Sequence, residues 1–221
     1  MIDASKIDAW VFDLDNTLYH PRANLFGQID VRMGEYVARL LGLSATDARA
    51  VQKRYFMEHG TTLCGLMANH QVDPHDFLDY VHDIDLTVLD ADARLDAALA
   101  RLPGRKIIFT NADGPYARRV LERLGIAHHF DGLHDILSAD FVPKPERAPY
   151  DQLLSRFDID ARRALFFEDM ARNLRPAKAL GMTTVWVNNG SEKGAVDAGA
   201  GHIDHETDDV AAWLDQVMMP A

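Results

Sequence analysis

The chain has 221 residues, 48% of them hydrophobic, with 23 basic against 34 acidic residues and a net charge of −11. That balance speaks against binding nucleic acid or an anionic membrane, both of which take basic patches, but leaves room for a small anionic ligand where a metal and a lysine reverse the field locally. A lone cysteine, Cys64, excludes an intrachain disulfide and a cysteine-rich zinc site, and with no apolar run in Met1–Lys6 and no stretch near the ~20 apolar residues of a membrane span, a soluble cytoplasmic protein is expected.

The first predicted element is a short buried strand, Trp10-Val11-Phe12, which runs straight into Asp13-Leu14-Asp15-Asn16-Thr17. Asn16 marks where it stops. Asp13 and Asp15 thus stand at the carboxyl end of a strand, where open α/β sheets keep their ligands. Two carboxylates so close repel each other, and a divalent cation is the usual reason for keeping them together.

From about Pro21 to Leu89 there is no strand signal, only helical periodicity. Leu25, Ile29, Met33, Val37, Leu40 and Leu41 fall three and four apart, and Ala48 to His59 and Phe77 to Val81 do likewise. This stretch reads as an all-helical insertion over the active end of a sheet, with His20-Pro21 and Asp90-Ala91-Asp92 as hinges. The expected division is a core of residues 1–20 and 90–221 and a helical cap of residues 21–89.

Beyond the insertion, apolar runs recur at Lys106 to Phe109, Ala164 to Phe167 and Thr183 to Val187, with a weaker candidate at His134 to Leu137. Helical segments at Pro115 to Leu124, Ala148 to Phe157 and Asn173 to Leu180 separate them. Strand alternating with helix predicts an α/β fold, a Rossmann-like parallel sheet with helices on both faces. Asp208 to Val217 reads as a last amphipathic helix that packs Val210, Trp213, Leu214 and Val217, and Gly194 to Gly201 as a loop.

Three further clusters follow strands. In Phe109-Thr110-Asn111, a hydroxyl and an amide precede a helix, and Thr110 with backbone N–H groups near Asn111 is placed to hold phosphate oxygens. In Pro143-Lys144-Pro145, a lysine on a stiff segment aims a point charge at a phosphate. In Glu168-Asp169-x-x-x-Asn173, Asp169 is a candidate metal ligand, with Glu168 and Asn173 behind it. Taken singly, each has a plainer reading as a cap, a turn or a surface lysine.

Together the four clusters, in this order and spacing from Trp10 to about Asn188, resemble the haloacid-dehalogenase superfamily of phosphohydrolases, whose helical cap is inserted just after the first motif. The resemblance implies that Asp13 is the nucleophile and forms an aspartyl-phosphate. It implies that Asp15 protonates the leaving oxygen and then activates water, and that Thr110, Asn111 and Lys144 bind the phosphoryl group. It also implies that Asp13, Asp15 (through its carbonyl) and Asp169 bind Mg²⁺. Dehalogenases lack the second carboxylate of the first motif, so Asp15 favours phosphoryl chemistry.

Asp13 to Tyr19, Gly60 to Leu66, Val72 to Asp85 and Lys178 to Trp186 look like the pyrimidine 5′-nucleotidase branch, which implies UMP- or CMP-like monophosphates as substrates. The chain departs from that branch at Tyr55-Phe56-Met57-Glu58-His59, where two tyrosines, and a third just before the glycine, are expected. Tyr55, His59, Thr61 and Thr62 cluster near Gly60 and suit a flat ring with polar edges, as does Tyr19 at the hinge. The alternative is that Tyr55 is core and Thr61-Thr62 caps a helix. A phosphatase of another metabolite (a sugar phosphate or pyridoxal phosphate), a phosphomutase and a non-catalytic binding protein are the competing functions. His128 and His129 are adjacent, and adjacent residues point apart on a helix, while His202 and His205 lack a recognisable zinc spacing; all four read as solvated surface.

Overall fold

The computed structural model describes residues 2–199 and 201–218. One sheet holds β1 (Ala9–Phe12), β2 (Arg105–Phe109), β3 (Gly132–His134), β4 (Ala164–Glu168), β5 (Thr183–Val187) and β6 (His205–Thr207). Their order is β3-β2-β1-β4-β5-β6, and every pairing is parallel.

Alternate strand residues face opposite sides, and this divides the core in two. Trp10, Phe12, Ile108, Leu165 and Phe167 pack with Leu95, Val120, Leu124, Trp213 and Leu214, which lie on α5 (Ala93–Arg101), α6 (Gly114–Leu124) and α9 (Val210–Val217). Ala9, Val11, Ile107, Phe109 and Phe166 pack with Tyr150, Leu153, Leu174 and Ala177, on α7 (Arg147–Arg156) and α8 (Leu174–Leu180). Strands covered on both faces read as unbroken apolar runs, which is why β1, β2, β4 and β5 are legible in sequence.

The chain builds β2 and β3 to one side of β1, then returns to build β4, β5 and β6 on the other. The carboxyl end of β1 is therefore the point where strand order reverses, and a crevice opens there.

Between β1 and α5 lie α1 (Leu25–Leu41), α2 (Ala45–His59), α3 (Thr62–His70) and α4 (Pro74–Val81). Ser44, Thr61 and Asp73 cap the last three by accepting from a first-turn N–H. Leu25, Ile29 and Val37 of α1 are buried, while Leu40 is 40% exposed, so the apolar stripe is narrower than its spacing implies. The turn between α2 and α3 meets the core near Lys144. A Cβ on Gly60 would lie 3.3 Å from Pro143 Cγ, and Cys64 Sγ donates to the Phe141 carbonyl at 3.3 Å. Arg172 stands 4.8 Å over the Phe56 ring.

Several elements differ from the sequence reading. The weak strand at 134–137 lies earlier, at Gly132–His134, because buried Ile136 sits in the turn after it. β6 and α3 had no separate signal. The expected helix at Asn173 starts as a 3-10 turn, Ala171–Asn173, and becomes α-helical at Leu174. Within the loop expected over 194–201, Ala200 lies outside the described residues. No helix among the described residues is long and apolar enough to cross a membrane.

Candidate active site

Asp13 follows β1 directly, and its N–H extends the ladder by donating to the Phe167 carbonyl at 2.9 Å. The chain then turns sharply. Leu18 N–H reaches back to Leu14 O at 3.0 Å, and Asn16 takes a left-handed φ of 60°, which asparagine tolerates better than most residues. The turn brings the Thr17 hydroxyl onto Asp13 Oδ2 at 2.9 Å.

Lys144 arrives from the other side of β1. The Asn111 side chain pins its backbone, accepting from Lys144 N at 2.8 Å and donating to Lys144 O at 3.3 Å. The ammonium is 1% exposed and spends all three donors: on Asp13 Oδ1 at 2.7 Å, Glu168 Oε2 at 2.7 Å and Phe109 O at 2.8 Å. Burial alone would lower the Lys144 pKa, but the Asp13 and Glu168 carboxylates overcome it and hold the ammonium above its ordinary range. Thr110 is buried at the end of β2, and its hydroxyl accepts from Ala112 N at 3.0 Å, so its proton is free to donate.

Asp13, Glu168 and Asp169 present carboxylate oxygens within 4.8 Å of one another, all buried. Burial and the neighbouring Glu168 and Asp13 charges push Asp169 well above the carboxylate range, and burial with Asp13 repulsion raises Glu168 despite Lys144. Hard oxygen donors that resist ionising together are the donor set a Mg²⁺-sized cation satisfies. Lys144 is shared between Asp13 and Glu168, so its single charge leaves the three carboxylates with a negative surplus that a cation would offset. Asn189, which sequence reasoning missed, ties the two acidic loops by donating to Asp169 Oδ2 at 3.3 Å and Asn16 O at 3.2 Å.

Asp15 Oδ1 accepts two hydroxyls, Tyr19 at 2.5 Å and Tyr116 at 2.7 Å. Desolvation raises its pKa; the Tyr19 and Tyr116 bonds oppose this and the Asp13 charge adds to it. Tyr116 is set by its helix cap, where Asp113 Oδ1 accepts Tyr116 N at 2.7 Å. The other Asp113 oxygen takes His82 Nδ1 at 2.9 Å, and the His82 ring stacks on Tyr116 with centroids 4.3 Å apart. His82 caps the C-terminal end of α4, so the helical segment touches Tyr116 directly. No sequence signal marks this chain of contacts, because its members are far apart in sequence.

The structure places the other candidates differently. Asn173 is buried and makes no hydrogen bond to Asp169: a bend and a 3-10 turn separate them, and its Oδ1 lacks a partner among the described residues. Tyr55 is 5% exposed, bonded through its hydroxyl to His70 Nε2 at 2.6 Å and packed on Gly65. Thr61 caps α3, and the buried Thr62 hydroxyl donates to Gln52 O at 3.4 Å. These three side chains bond within the helical segment, as the capping alternative expects. His59 ends α2, partly exposed, 3.4 Å from Asn69 Nδ2. His202, expected at the surface, is buried and donates to the Ala171 carbonyl at 2.8 Å.

The family model described as "Hydrolase: haloacid dehalogenase-like hydrolase" matches residues 7–181. "Phosphate metabolism protein 8" of Saccharomyces cerevisiae is 30% identical, over 77% of this chain and 58% of its own length, so this chain spans little more than half of that relative. A HAD phosphatase from Thermococcus onnurineus superposes with a TM-score of 0.67 at 20% identity, covering 96% of this chain and 98% of that one. An L-2-haloacid dehalogenase from Xanthobacter autotrophicus, with chloropropionic acid covalently bound, superposes with a TM-score of 0.54 at 18% identity, covering 97% and 90%.

Proposed function

From the premise that the chain belongs to the haloacid dehalogenase-like hydrolases, we propose that it is a Mg²⁺-dependent phosphomonoesterase that works through an aspartyl-phosphate on Asp13 and prefers pyrimidine 5′-nucleotides. Folds of this kind serve both phosphatases and dehalogenases, so the reaction is read from the site. The observation that carries the reading is Asp15: a carboxyl group raised in pKa, two residues beyond the nucleophile, held by one oxygen. A halide leaves without a proton, whereas an alkoxide does not.

An Asp13 oxygen attacks phosphorus while Asp15 gives its proton to the departing oxygen, and the ester bond breaks. Asp15, now ionised, takes a proton from water as that water attacks the phosphorus, which frees Asp13 and phosphate. Lys144 orients Asp13 through its 2.7 Å bond to Oδ1 and, with the Thr110 hydroxyl and backbone N–H groups near Asn111, offsets the charge on the phosphoryl oxygens. Asp13, Asp169 and the Asp15 carbonyl would hold Mg²⁺, which when bound neutralises charge shared by nucleophile and phosphate.

Residues 21–89 act in this reading as a specificity cap. Their α2–α3 turn meets the Lys144 loop, and Phe56 lies under Arg172, so the leaving group is covered from that side. The name of the yeast relative, which speaks of phosphate metabolism, is in keeping with the reading. Tyr55, Thr61 and Thr62 turn inward, which favours a loosely read base and discrimination of only about 10–200-fold. The test is kcat/KM for UMP, CMP, AMP, GMP, sugar phosphates and pyridoxal phosphate. Preference for UMP and CMP supports the assignment, and parity with the purines or preference for another ester refutes it.

A further inference from the structure

We propose that Asp96, His128 and His129 form a second metal site, separate from the carboxylates around Asp13, that takes a borderline-soft divalent ion of the Zn²⁺ class. Adjacent histidines were expected to point apart, but here they do not. The 3-10 turn Ala127–His129 brings the two imidazoles together with centroids 4.0 Å apart. His129 Nε2 lies 2.7 Å, and His128 Nε2 3.2 Å, from the same Asp96 Oδ1. All three ligand atoms fall within 4.8 Å of one another.

Bonds of about 2.0–2.1 Å to a tetrahedral Zn²⁺ put neighbouring ligand atoms roughly 3.3 Å apart, so His128 already stands near that spacing from Asp96 and His129 must draw back by about 0.6 Å to admit the ion. The chemistry separates the two sites. Two imidazole nitrogens and one carboxylate suit Zn²⁺, Co²⁺ or Ni²⁺, while the all-oxygen set at Asp13 and Asp169 suits Mg²⁺. Three protein ligands leave a fourth position for water, and the 64% exposed His128 side chain leaves a way in.

Both halves of the site are fixed by backbone. His129 N donates to Ile126 O at 3.1 Å and Asp131 N to Lys106 O at 2.8 Å. Asp92 caps α5 one turn before Asp96, and its own N–H reaches Leu124 O at 3.0 Å. A neutral imidazole that now donates from Nε2 moves its proton to Nδ1 and offers the Nε2 lone pair, so binding needs no net proton release. The bound ion would tie the start of α5, where the chain returns from the helical segment, to the turn ahead of β3.

The test titrates Zn²⁺ into wild type, Asp96→Asn and His128→Ala, all in excess Mg²⁺, by calorimetry and thermal melting, with Co²⁺ absorption as the spectroscopic readout. His128 is exposed, so its replacement leaves the fold intact, and melting without added Zn²⁺ checks this. Expected are one Zn²⁺ per chain lost or weakened by more than about 10-fold in both variants, and a wild-type Tm raised about 5–10 °C at 100 times Kd. Co²⁺ should show intense tetrahedral bands in wild type alone. Equal Zn²⁺ binding by all three proteins would place the ion at the carboxylates and overturn the proposal, as would no binding below millimolar Zn²⁺. None of the three readouts depends on phosphatase activity.

Discussion

Tyr116 donates its hydroxyl to Asp15 Oδ1 at 2.7 Å, across 101 positions of sequence. With Tyr19 on the same oxygen, Asp15 is held from one side, and no hydrogen bond among the described residues reaches its Oδ2. In the proposed mechanism the pair fixes Oδ2 as the oxygen that would transfer the proton.

Tyr116→Phe should therefore lower kcat/KM for a nucleotide by about 10–100-fold, the worth of one hydrogen bond to a charged group. It should barely change kcat/KM for p-nitrophenyl phosphate, whose leaving group needs no proton in the step that forms the intermediate. Equal losses on both esters would mean that Tyr116 acts only by supporting the fold.

Removal of Lys144 leaves Asp13 and Glu168 buried side by side without their cation. Lys144→Ala should cost about 3–5 kcal/mol in urea unfolding at pH 7.5 and slow turnover roughly 10²–10³-fold. The stability loss should shrink as pH falls and Glu168 protonates. Arginine should not restore activity, since a planar fork cannot reproduce three donors diverging to Asp13, Glu168 and Phe109 O. Wild-type stability in Lys144→Ala would contradict the ion cluster.

His134 is buried, and neither ring nitrogen has a partner among the described residues. Burial, with the Arg156 cation, lowers its pKa to about 4. Between that value and the unfolded value of about 6.5, the unfolded chain binds a proton that the native state does not. Its contribution is thus complete above about pH 6.5 and lost as pH falls toward about 4, worth up to about 3 kcal/mol. His134→Leu should flatten the stability profile across that window, as read by urea melts at pH 7.5, 6 and 4.5. An unchanged slope would show that other groups set the acid limb.

Asp169 sits among like charges, so Asp169→Asn should leave melting without divalent ions unchanged or raised, while abolishing turnover and the Tm increase expected of the wild type on adding Mg²⁺. Full activity of the wild type after exhaustive chelation would contradict the metal requirement.

The sequence announces Asp13, Asp15, Thr110 and Asp169 because each follows an apolar run too short for a helix, and a parallel sheet gathers such ends, and it announces Lys144 because two prolines stiffen the segment that carries it. It says nothing of Tyr116, His82 and Asp113, whose meeting depends on how α4 and α6 pack. β6 is silent for another reason: His205-Glu206-Thr207 is a three-residue edge strand with only one fully covered neighbour, β5, and no apolar run. Tyr55, Thr61 and Thr62 carry polar groups that suit either a ligand or a helix end, and only the bonds to His70, Cys64 N and Gln52 O separate the two.

The central claim is a covalent phosphoryl group on Asp13. It is tested by quenching a steady-state reaction with UMP and Mg²⁺ in borohydride, which reduces an acyl phosphate on aspartate to homoserine, and sequencing the peptide that spans β1. The account predicts homoserine at position 13, absent when substrate is withheld and absent in Asp13→Asn, which should also lose turnover. An unmodified Asp13 during turnover, or near-normal phosphate release by Asp13→Asn, would contradict it.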